Sequence, residues 1–419
     1  MDEVSSESGT EESAFLVRQP VFTRDKDIWG YELVASTVPV MQDGKLASSF
    51  AELVSVYQSN LSTLDGGFVD GKKILMDIFK ETQLSCCQLP EKCDQCIVGL
   101  SQDIAASSAC PLFVDSLREG GVGVALDEGI ETDIFKNFAD KCDVVKVSLA
   151  DKTPQEIVKI RQKYKGYDFE LLATDVTSWE AYEGTRALGF TYFQGPFFSI
   201  PQIEKGKEIS ASAVSKLQLL RELGNPNCEM EELATIIASD VSLSYRILKY
   251  INSASFGLKN KIKSIQQAVS LLGLNEVRHW ATVVVMTDLD STPKGEELAF
   301  MALQRGRFLS RLVEGMKDFK YSPNTMFMLG LFSKLDALLS YPMDEALKDI
   351  PLDQEIKEGL CGTLNEFRDW LRMLEAIEIG NWAIANDILS RHGACFTDAA
   401  TQYMKAASWA AHQLPDMKK

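Results

Sequence analysis

Six polar side chains lie within or at the ends of short apolar segments in the first half of the sequence. They are Glu32, Asp77, Asp127, Glu128, Lys146 and Gln194. Carboxylates grouped with one lysine are the side chains that hold a divalent cation and a phosphate group. Solvated polar residues at ordinary strand ends would show the same spacing, so the spacing alone leaves both interpretations open.

The segments that carry these residues alternate with helix-like stretches. The apolar runs are 15–23 and 28–35, which suggest an opening hairpin, then 73–79, 97–100, 122–127, 144–149, 169–176 and 192–198. Strands that alternate with helices predict a parallel sheet covered by helices. Six or seven such strands favour a small, somewhat short β/α barrel over an open sheet. The strand ends of a barrel converge at one mouth, where the six polar residues are predicted to meet.

The second half of the sequence has almost no strand pattern. Asp240 and Ser264 are predicted helix N-caps, Gly273 is predicted to end a helix, and Asn275 is predicted to cap the next one. The predicted fold class is therefore α/β plus all-α. Its predicted parts are a disordered acidic tail at 1–13, a barrel at 14–203, a linker at 204–212, a helical domain at 213–410 and a C-terminal tail at 411–419.

The charge of the 419-residue chain is concentrated in the barrel half. Residues 1–203 contain 18 basic and 32 acidic side chains, which gives that half most of the total net charge of −17. An acidic half is a poor match for a nucleic-acid backbone, which needs a basic surface. No window has the roughly 18 uninterrupted apolar residues that would predict a membrane span. The acidic first residues are unlike a secretory signal, so we expect a cytoplasmic protein without membrane insertion.

Four of the nine cysteines lie close together, at Cys86, Cys87, Cys93 and Cys96. Four thiolates at this spacing are one way to hold zinc or an iron–sulfur cluster. A redox pair at Cys93 and Cys96 is a second interpretation, and free thiols in a helix or loop are a third. Adjacent cysteines chelate a single ion awkwardly, so the cluster is not the favoured metal site. No cofactor is predicted for the chain, with a divalent metal and cyclic di-GMP left open as alternatives.

An ordered series of segments in the first half resembles the EAL family of cyclic di-GMP phosphodiesterases. The segments are RQPVFTRDKDIWGYELVAS, VALDEGI, VVKVSL and LLATDVTSWEAYEGTRALGFTYFQGPFFSIP. The resemblance implies a β/α barrel with metal-binding side chains at its mouth. It also implies that five positions of the family's site are retained, namely Glu32, Asp127, Glu128, Lys146 and Gln194.

Four further positions of that site are altered. Asp77 replaces an asparagine, and Gly99, Thr174 and Thr177 replace glutamates. Two-metal hydrolysis needs enough anionic ligands to hold two ions about 4 Å apart. Neither glycine nor a neutral hydroxyl supplies that charge. The resemblance therefore implies a degenerate barrel that does not hydrolyse cyclic di-GMP.

The helical half resembles the HDOD family, a module of bacterial signalling proteins related to HD phosphohydrolases. The most specific segment is SDVSLSYRILKYINSASFG, followed by KIKSIQQAVSLLGLNEVRHWATVVV. An HD phosphohydrolase needs a His-Asp dyad, and none of His279, His392 and His412 precedes an aspartate. Metal-dependent hydrolysis in this half is therefore not expected.

The two resemblances together predict a catalytically inactive regulator that acts through protein–protein contacts. Its barrel would serve as a cyclic di-GMP sensor or as a dimerisation platform, and its expected partners are other signalling proteins or a second copy. A residual metal-dependent cyclic di-GMP phosphodiesterase is one alternative. A DNA-binding regulator is the other, through the helix pair around Gly273 with Lys259, Lys261 and Lys263 nearby.

Overall fold

The structure is a computed structural model. It describes residues 15–36, 69, 71–78, 94–203, 211–223, 225, 228–252, 261–317, 319–348 and 350–418. The acidic tail predicted at 1–13, most of the predicted linker, and three of the clustered cysteines lie outside the described residues; those cysteines are Cys86, Cys87 and Cys93.

Eight strands form a closed barrel in chain order. They are β1 (Leu16–Thr23), β2 (Ile28–Ala35), β3 (Lys73–Ile78), β4 (Cys96–Leu100), β5 (Gly123–Asp127), β6 (Val144–Ser148), β7 (Glu170–Thr174) and β8 (Tyr192–Gln194). The predicted β/α barrel and its opening hairpin are confirmed. Eight strands rather than six or seven close it, because both hairpin strands take part. Strand β1 is antiparallel to β2 and β8, whereas all other neighbouring strands are parallel.

Short helices cover the outside of the barrel. They are α1 (Gln102–Ala105), α2 (Cys110–Glu119), α3 (Thr132–Lys136), α4 (Pro154–Lys163) and α5 (Trp179–Ala187). The start of α4 is fixed by a capping box, in which Thr153 and Glu156 exchange hydrogen bonds. Ser178 caps α5 by accepting a hydrogen bond from the backbone amide of Ala181.

The rest of the chain is helical. The helices are α6 (Ala211–Leu223), α7 (Met230–Ser239), α8 (Val241–Ile251), α9 (Ile265–Leu272), α10 (Leu274–Thr287), α11 (Pro293–Glu314), α12 (Pro323–Phe332), α13 (Leu335–Leu339), α14 (Met343–Ala346), α15 (Gln354–Leu360), α16 (Glu366–Glu378), α17 (Trp382–Arg391) and α18 (Phe396–Lys418). Helix α18 continues beyond residue 410, so most of the predicted C-terminal tail is helical. None of the described helices is long and apolar enough to cross a membrane.

Three of the four helix ends predicted in this region are confirmed, at Asp240, Ser264 and Gly273. The side chains of Asp240 and Ser264 accept hydrogen bonds from the third residue after them, as predicted. The prediction that Asn275 caps α10 is wrong. Gly273 adopts a positive φ of 89°, ends α9 and starts α10 in one residue. Glycine tolerates this backbone conformation, so Asn275 falls within the first turn.

The helical region packs directly on the first two barrel strands. Phe15 is fully buried, and its ring stacks on Trp382 and meets the edges of Phe396 and Tyr403. Arg18 of β1 forms a buried ion pair with Glu297 of α11, at 2.8 Å. The start of β1 and the end of β2 lie at the mouth of the barrel. The helices therefore lie beside that mouth.

Candidate functional site

The polar side chains of the barrel interior form one layer above an apolar one. The apolar layer contains Val21, Leu75, Ile97, Ala125, Val144 and Leu172. Side chains two residues apart on a strand point to the same face. Moving two residues towards the mouth from each of the last five positions gives Asp77, Gly99, Asp127, Lys146 and Thr174. The period of the strands thus assembles the predicted site residues into a single ring.

Lys146 lies at the centre of this ring. Its ammonium nitrogen is 2.7 Å from Glu32 Oε1 and 2.5 Å from Asp77 Oδ2. Gln194 donates from its amide nitrogen to Glu32 Oε2 and, at 2.7 Å, to Gln19 Oε1. Glu32, Lys146 and Gln194 are all buried. Both oxygens of Glu32 are therefore already used by hydrogen bonds within the chain.

Burial and pairing shift the pKa values of these groups in different directions. Burial alone would raise the pKa of Glu32, but Lys146 and Gln194 lower it below its ordinary value. Burial likewise favours loss of the proton from Lys146, but the charges of Glu32 and Asp77 raise its pKa above the ordinary value. Burial and the nearby charge of Glu32 raise the pKa of Asp77 to about 7, against the effect of Lys146. The ring holds one firmly charged lysine and one firmly charged carboxylate.

Asp77 reaches Lys146 across space that Gly99 leaves open. Any side chain at Gly99 would collide with Asp77 Oδ1. That oxygen is buried without a hydrogen-bond partner among the described residues. The two altered positions therefore act together, since the glycine makes room for the acid on the neighbouring strand.

Asp127 and Glu128, the predicted acidic pair, lie in different surroundings. Burial raises the pKa of Asp127, and Lys146 opposes this shift. Glu128 forms an ion pair with Lys152 at 2.6 Å, so its charge is partnered outside the ring. Only the first member of the pair is brought to the site.

The two threonines of the site also separate. Thr174 lines the cavity above the ring, and its hydroxyl lies 3.5 Å from Asp175 Oδ2. Thr177 is exposed. Neither position places a carboxylate against Lys146.

A cavity of about 380 Å³ lies between the barrel mouth and the helical region. Its volume is near the lower end of the range of about 300–1,000 Å³ that is usual for small-molecule sites. The barrel side contributes Arg18, Gln19, Glu32, Asp77, Lys146, Thr174, Asp175 and Gln194 among others. The helical side contributes Glu297, Phe300, Gln304, Lys334, Glu375, Glu378 and Tyr403 among others.

A second charged cluster forms the helical wall of this cavity. Arg305 donates two hydrogen bonds of 2.6 Å to the carboxylate of Glu378 and a third, of 2.9 Å, to the hydroxyl of Ser333. Lys334 is the next residue, and only 7% of its surface is exposed. Burial and the charge of Arg305 lower the pKa of Lys334 to about 8, although Glu378 and Glu375 oppose the shift.

The residues of the ring do not fit a pair of divalent cations. Two buried acceptor oxygens, Asp77 Oδ1 and Gln194 Oε1, lack hydrogen-bond partners in the part of the chain that the structure describes. The ammonium of Lys146, however, already lies between Glu32 and Asp77, and like charges would repel a dication there. Over the described ranges, no three acidic, histidine or cysteine side chains are grouped so that they could hold a metal ion.

Of the other candidate sites from the sequence, the histidines and the helix pair are not assembled within the described residues. Cys96 is buried in β4, and its three neighbours lie outside the described residues. His279 stacks on Phe327, and His392 stacks on Trp370. Helix α10, the recognition helix of the DNA-binding alternative, is buried over most of its length. It packs within the helical core, and its apolar side chains are not free to enter a groove.

The sequence reasoning missed Lys334. A usable signal was present, because Lys334 and Asp336 are the only charged residues in the otherwise apolar stretch from 326 to 339. A lone lysine in such a stretch is either an exposed position or a buried functional one. Only the packing of α12 and α13 shows which of these applies.

The family comparison matches residues 212–350 to the family described as "HDOD domain". The chain carries an HDOD domain. This domain includes Lys334 and follows an eight-stranded EAL-like barrel, so the two-domain architecture implied by the sequence segments is confirmed. The predicted pairing of an α/β barrel with an all-helical domain is likewise confirmed.

Two curated proteins are similar to this chain over nearly its whole length. An uncharacterised protein YuxH of Bacillus subtilis is 28% identical over 415 residues, which cover 96% of this chain and 99% of YuxH. The cyclic di-GMP phosphodiesterase CdgJ of Vibrio cholerae is 25% identical over 415 residues, which cover 95% of this chain and 92% of CdgJ.

Solved structures show a distant likeness. The BlrP1 complex of Klebsiella pneumoniae with calcium and cyclic di-GMP matches with a TM-score of 0.35 and 15% identity, over 44% of this chain and 54% of BlrP1. The FimX EAL domain of Pseudomonas aeruginosa bound to cyclic di-GMP matches with a TM-score of 0.32 and 13% identity, over 44% of this chain and 89% of that domain.

Proposed function

We propose that this protein is a regulator in cyclic di-GMP signalling whose barrel binds the nucleotide without hydrolysing it. The link to this signalling system comes from the EAL-like barrel, the HDOD domain and the similarity to a protein named as a cyclic di-GMP phosphodiesterase. The absence of hydrolysis is inferred from the chemistry of the ring at the barrel mouth.

The observation that carries this proposal is the shortage of carboxylates around Lys146. Its ammonium occupies the space between Glu32 and Asp77, so both remaining carboxylates are engaged by a cation of the chain itself. Gly99 and the two threonines add no carboxylate to replace them. A site without bound metal lacks the means to produce hydroxide from water at neutral pH.

The cavity favours a sensor over a pure dimerisation platform. Its walls come from both domains, so a ligand would contact the barrel and the helices at once. Ligand binding would then favour one arrangement of the two domains. The HDOD domain would convey that state to other signalling proteins. Exposed apolar side chains on α7–α9, at Met230, Tyr245 and Leu271, are suited to such a partner.

The test is calorimetric titration of the full chain with cyclic di-GMP, with and without Mg²⁺ or Mn²⁺, followed by analysis of the same sample for linear product. Saturable binding without product supports the proposal. Product formation overturns the inactive site, and absence of binding overturns the sensor.

A metal-dependent phosphodiesterase is the second candidate. It is favoured by the printed name of CdgJ and by the convergence of Glu32, Lys146 and Gln194 at one mouth. Glu32→Gln and Lys146→Ala would each abolish product formation in that case. Identical traces for these variants and the unaltered protein would remove this candidate.

A further inference from the structure

Lys334 faces the cavity as a buried cation without a partner. The structure gives its ammonium no hydrogen bond and no ion pair with any described residue, and 93% of its surface is covered. The three N–H donors of a buried ammonium normally form hydrogen bonds, because a buried donor without an acceptor costs free energy. Such a group on a cavity wall needs an acceptor from outside the chain.

Glu378, Glu375 and Asp336 are the carboxylates near Lys334, and the two that line the cavity already have basic partners. Glu378 is held by Arg305 through two hydrogen bonds, and both oxygens of Glu375 accept from Arg368 at 2.9 and 3.1 Å. Across the cavity, Glu297 is paired with Arg18, and Lys146 takes Glu32 and Asp77. Each of these acids has a basic partner, whereas Lys334 has none.

We propose that Lys334 is an anion-binding residue, and that the cavity between the domains takes a small molecule whose phosphate oxygens accept hydrogen bonds from it. The phosphate is singled out because it offers several acceptor oxygens to one ammonium. The inference rests on the proposed function for the source of this phosphate, since cyclic di-GMP carries two such groups. Because Lys334 belongs to the HDOD domain, this contact joins that domain to a ligand in the barrel mouth.

The test compares the full chain with its Lys334→Gln and Lys405→Gln variants in phosphate-free buffer. Lys405 is exposed on α18 and serves as the matched control. Titration with cyclic di-GMP is expected to show binding about tenfold weaker in Lys334→Gln and unchanged in Lys405→Gln, since one hydrogen bond to a charged group is lost. Melting curves with inorganic phosphate at constant ionic strength form the second arm.

The titration and the melting curves together distinguish failure of the proposed function from failure of the Lys334 site. Equal cyclic di-GMP affinity in all three proteins overturns the role of Lys334 and leaves the proposed function standing. Absence of cyclic di-GMP binding, with phosphate stabilising the unaltered chain and Lys405→Gln but not Lys334→Gln, overturns the proposed function and supports the anion site with another phosphate source. No response to either ligand overturns both.

A measurement on the unaltered chain covers the case in which Lys334→Gln does not fold. Amine-specific labelling followed by mass spectrometry reports the accessibility of each lysine. Protection of Lys334 by the ligand, with Lys405 labelled at the same rate throughout, supports the site. Unchanged labelling of Lys334 at saturating ligand overturns it.

Discussion

Two buried lysines face one cavity from opposite walls, and they differ in the number of carboxylates with which they form ion pairs. Lys146 on the barrel wall lies between two, Glu32 and Asp77, and its pKa is raised. Lys334 on the helical wall lies beside Arg305, which has already taken Glu378, and its pKa is lowered to about 8. The same side chain at similar burial is thus a fixed structural cation in one place and an unsatisfied one in the other.

The number of paired carboxylates, and not the degree of burial, sets the role of each lysine. The barrel wall has an excess of acid that its lysine neutralises, which leaves nothing to hold a metal. On the helical wall, Glu378 and Glu375 are paired with Arg305 and Arg368, and Lys334 is left without a paired carboxylate. A ligand with a negative group would pair with Lys334 on the helical wall. The ion pairs of Lys146 on the barrel wall would stay as they are.

Replacing Lys146 on the barrel wall should have the largest effect on stability. Lys146→Met leaves Glu32 and Asp77 buried together without a cation, so we expect a loss of about 3–5 kcal/mol in the free energy of unfolding. Chemical denaturation at pH 8 measures it. Lys136→Met, on the barrel surface where 60% of the side chain is exposed, is the control and should change little. A loss below about 1 kcal/mol for Lys146→Met would contradict the role of the ion cluster.

Replacing Lys334 should change the free energy of unfolding in the opposite direction, so that the protein becomes more stable. Its pKa is 10.5 in the unfolded chain and about 8 when folded, so the unfolded chain binds the additional proton between these values. The cost of burying the charge is complete below pH 8, where it amounts to roughly 3 kcal/mol. Lys334→Met should therefore stabilise the ligand-free protein at pH 7.

The pH dependence sharpens that prediction. The unaltered chain should gain stability as the pH rises from 8 to 10.5, and the advantage of Lys334→Met should disappear across the same window. Urea unfolding at pH 7, 8, 9 and 10 provides the series. A constant difference between the two proteins over this range would show that Lys334 is not held with a lowered pKa.

A smaller effect is expected at Gly99. The Cβ of Gly99→Ala would collide with Asp77 Oδ1, so Asp77 must move away from Lys146 at a cost of about 1–3 kcal/mol. Gly129→Ala is the matched control, because a Cβ there meets nothing within 4 Å. Thermal melting of both variants measures the difference. Equal melting temperatures would mean that Gly99 does not position Asp77.

The barrel and its polar ring were predictable because they follow from local patterns. Apolar runs of four to nine residues mark the strands, and the period of two places Asp77, Lys146 and Thr174 on the inward face. The caps at Asp240 and Ser264 are equally local. Asn275 was wrongly predicted because its preference for caps was outweighed by the positive φ of Gly273.

The cavity was not predictable, because its walls come from segments far apart in the chain. Arg18 meets Glu297 across 279 residues, and Gln19 donates to the backbone of Glu378 across 359 residues. No periodicity in the sequence records these pairings. The sequence therefore shows Lys334 only as a lysine in an apolar segment, and its burial follows from the tertiary packing.

Single-turnover analysis decides whether the barrel hydrolyses cyclic di-GMP. The full chain, in molar excess over cyclic di-GMP and with Mg²⁺ or Mn²⁺ present, is incubated and the nucleotides are separated by chromatography. If the barrel lacks hydrolytic activity, cyclic di-GMP stays intact at every time, and the unaltered protein and Lys146→Ala give the same trace. Metal-dependent linear product that disappears in Lys146→Ala would contradict it.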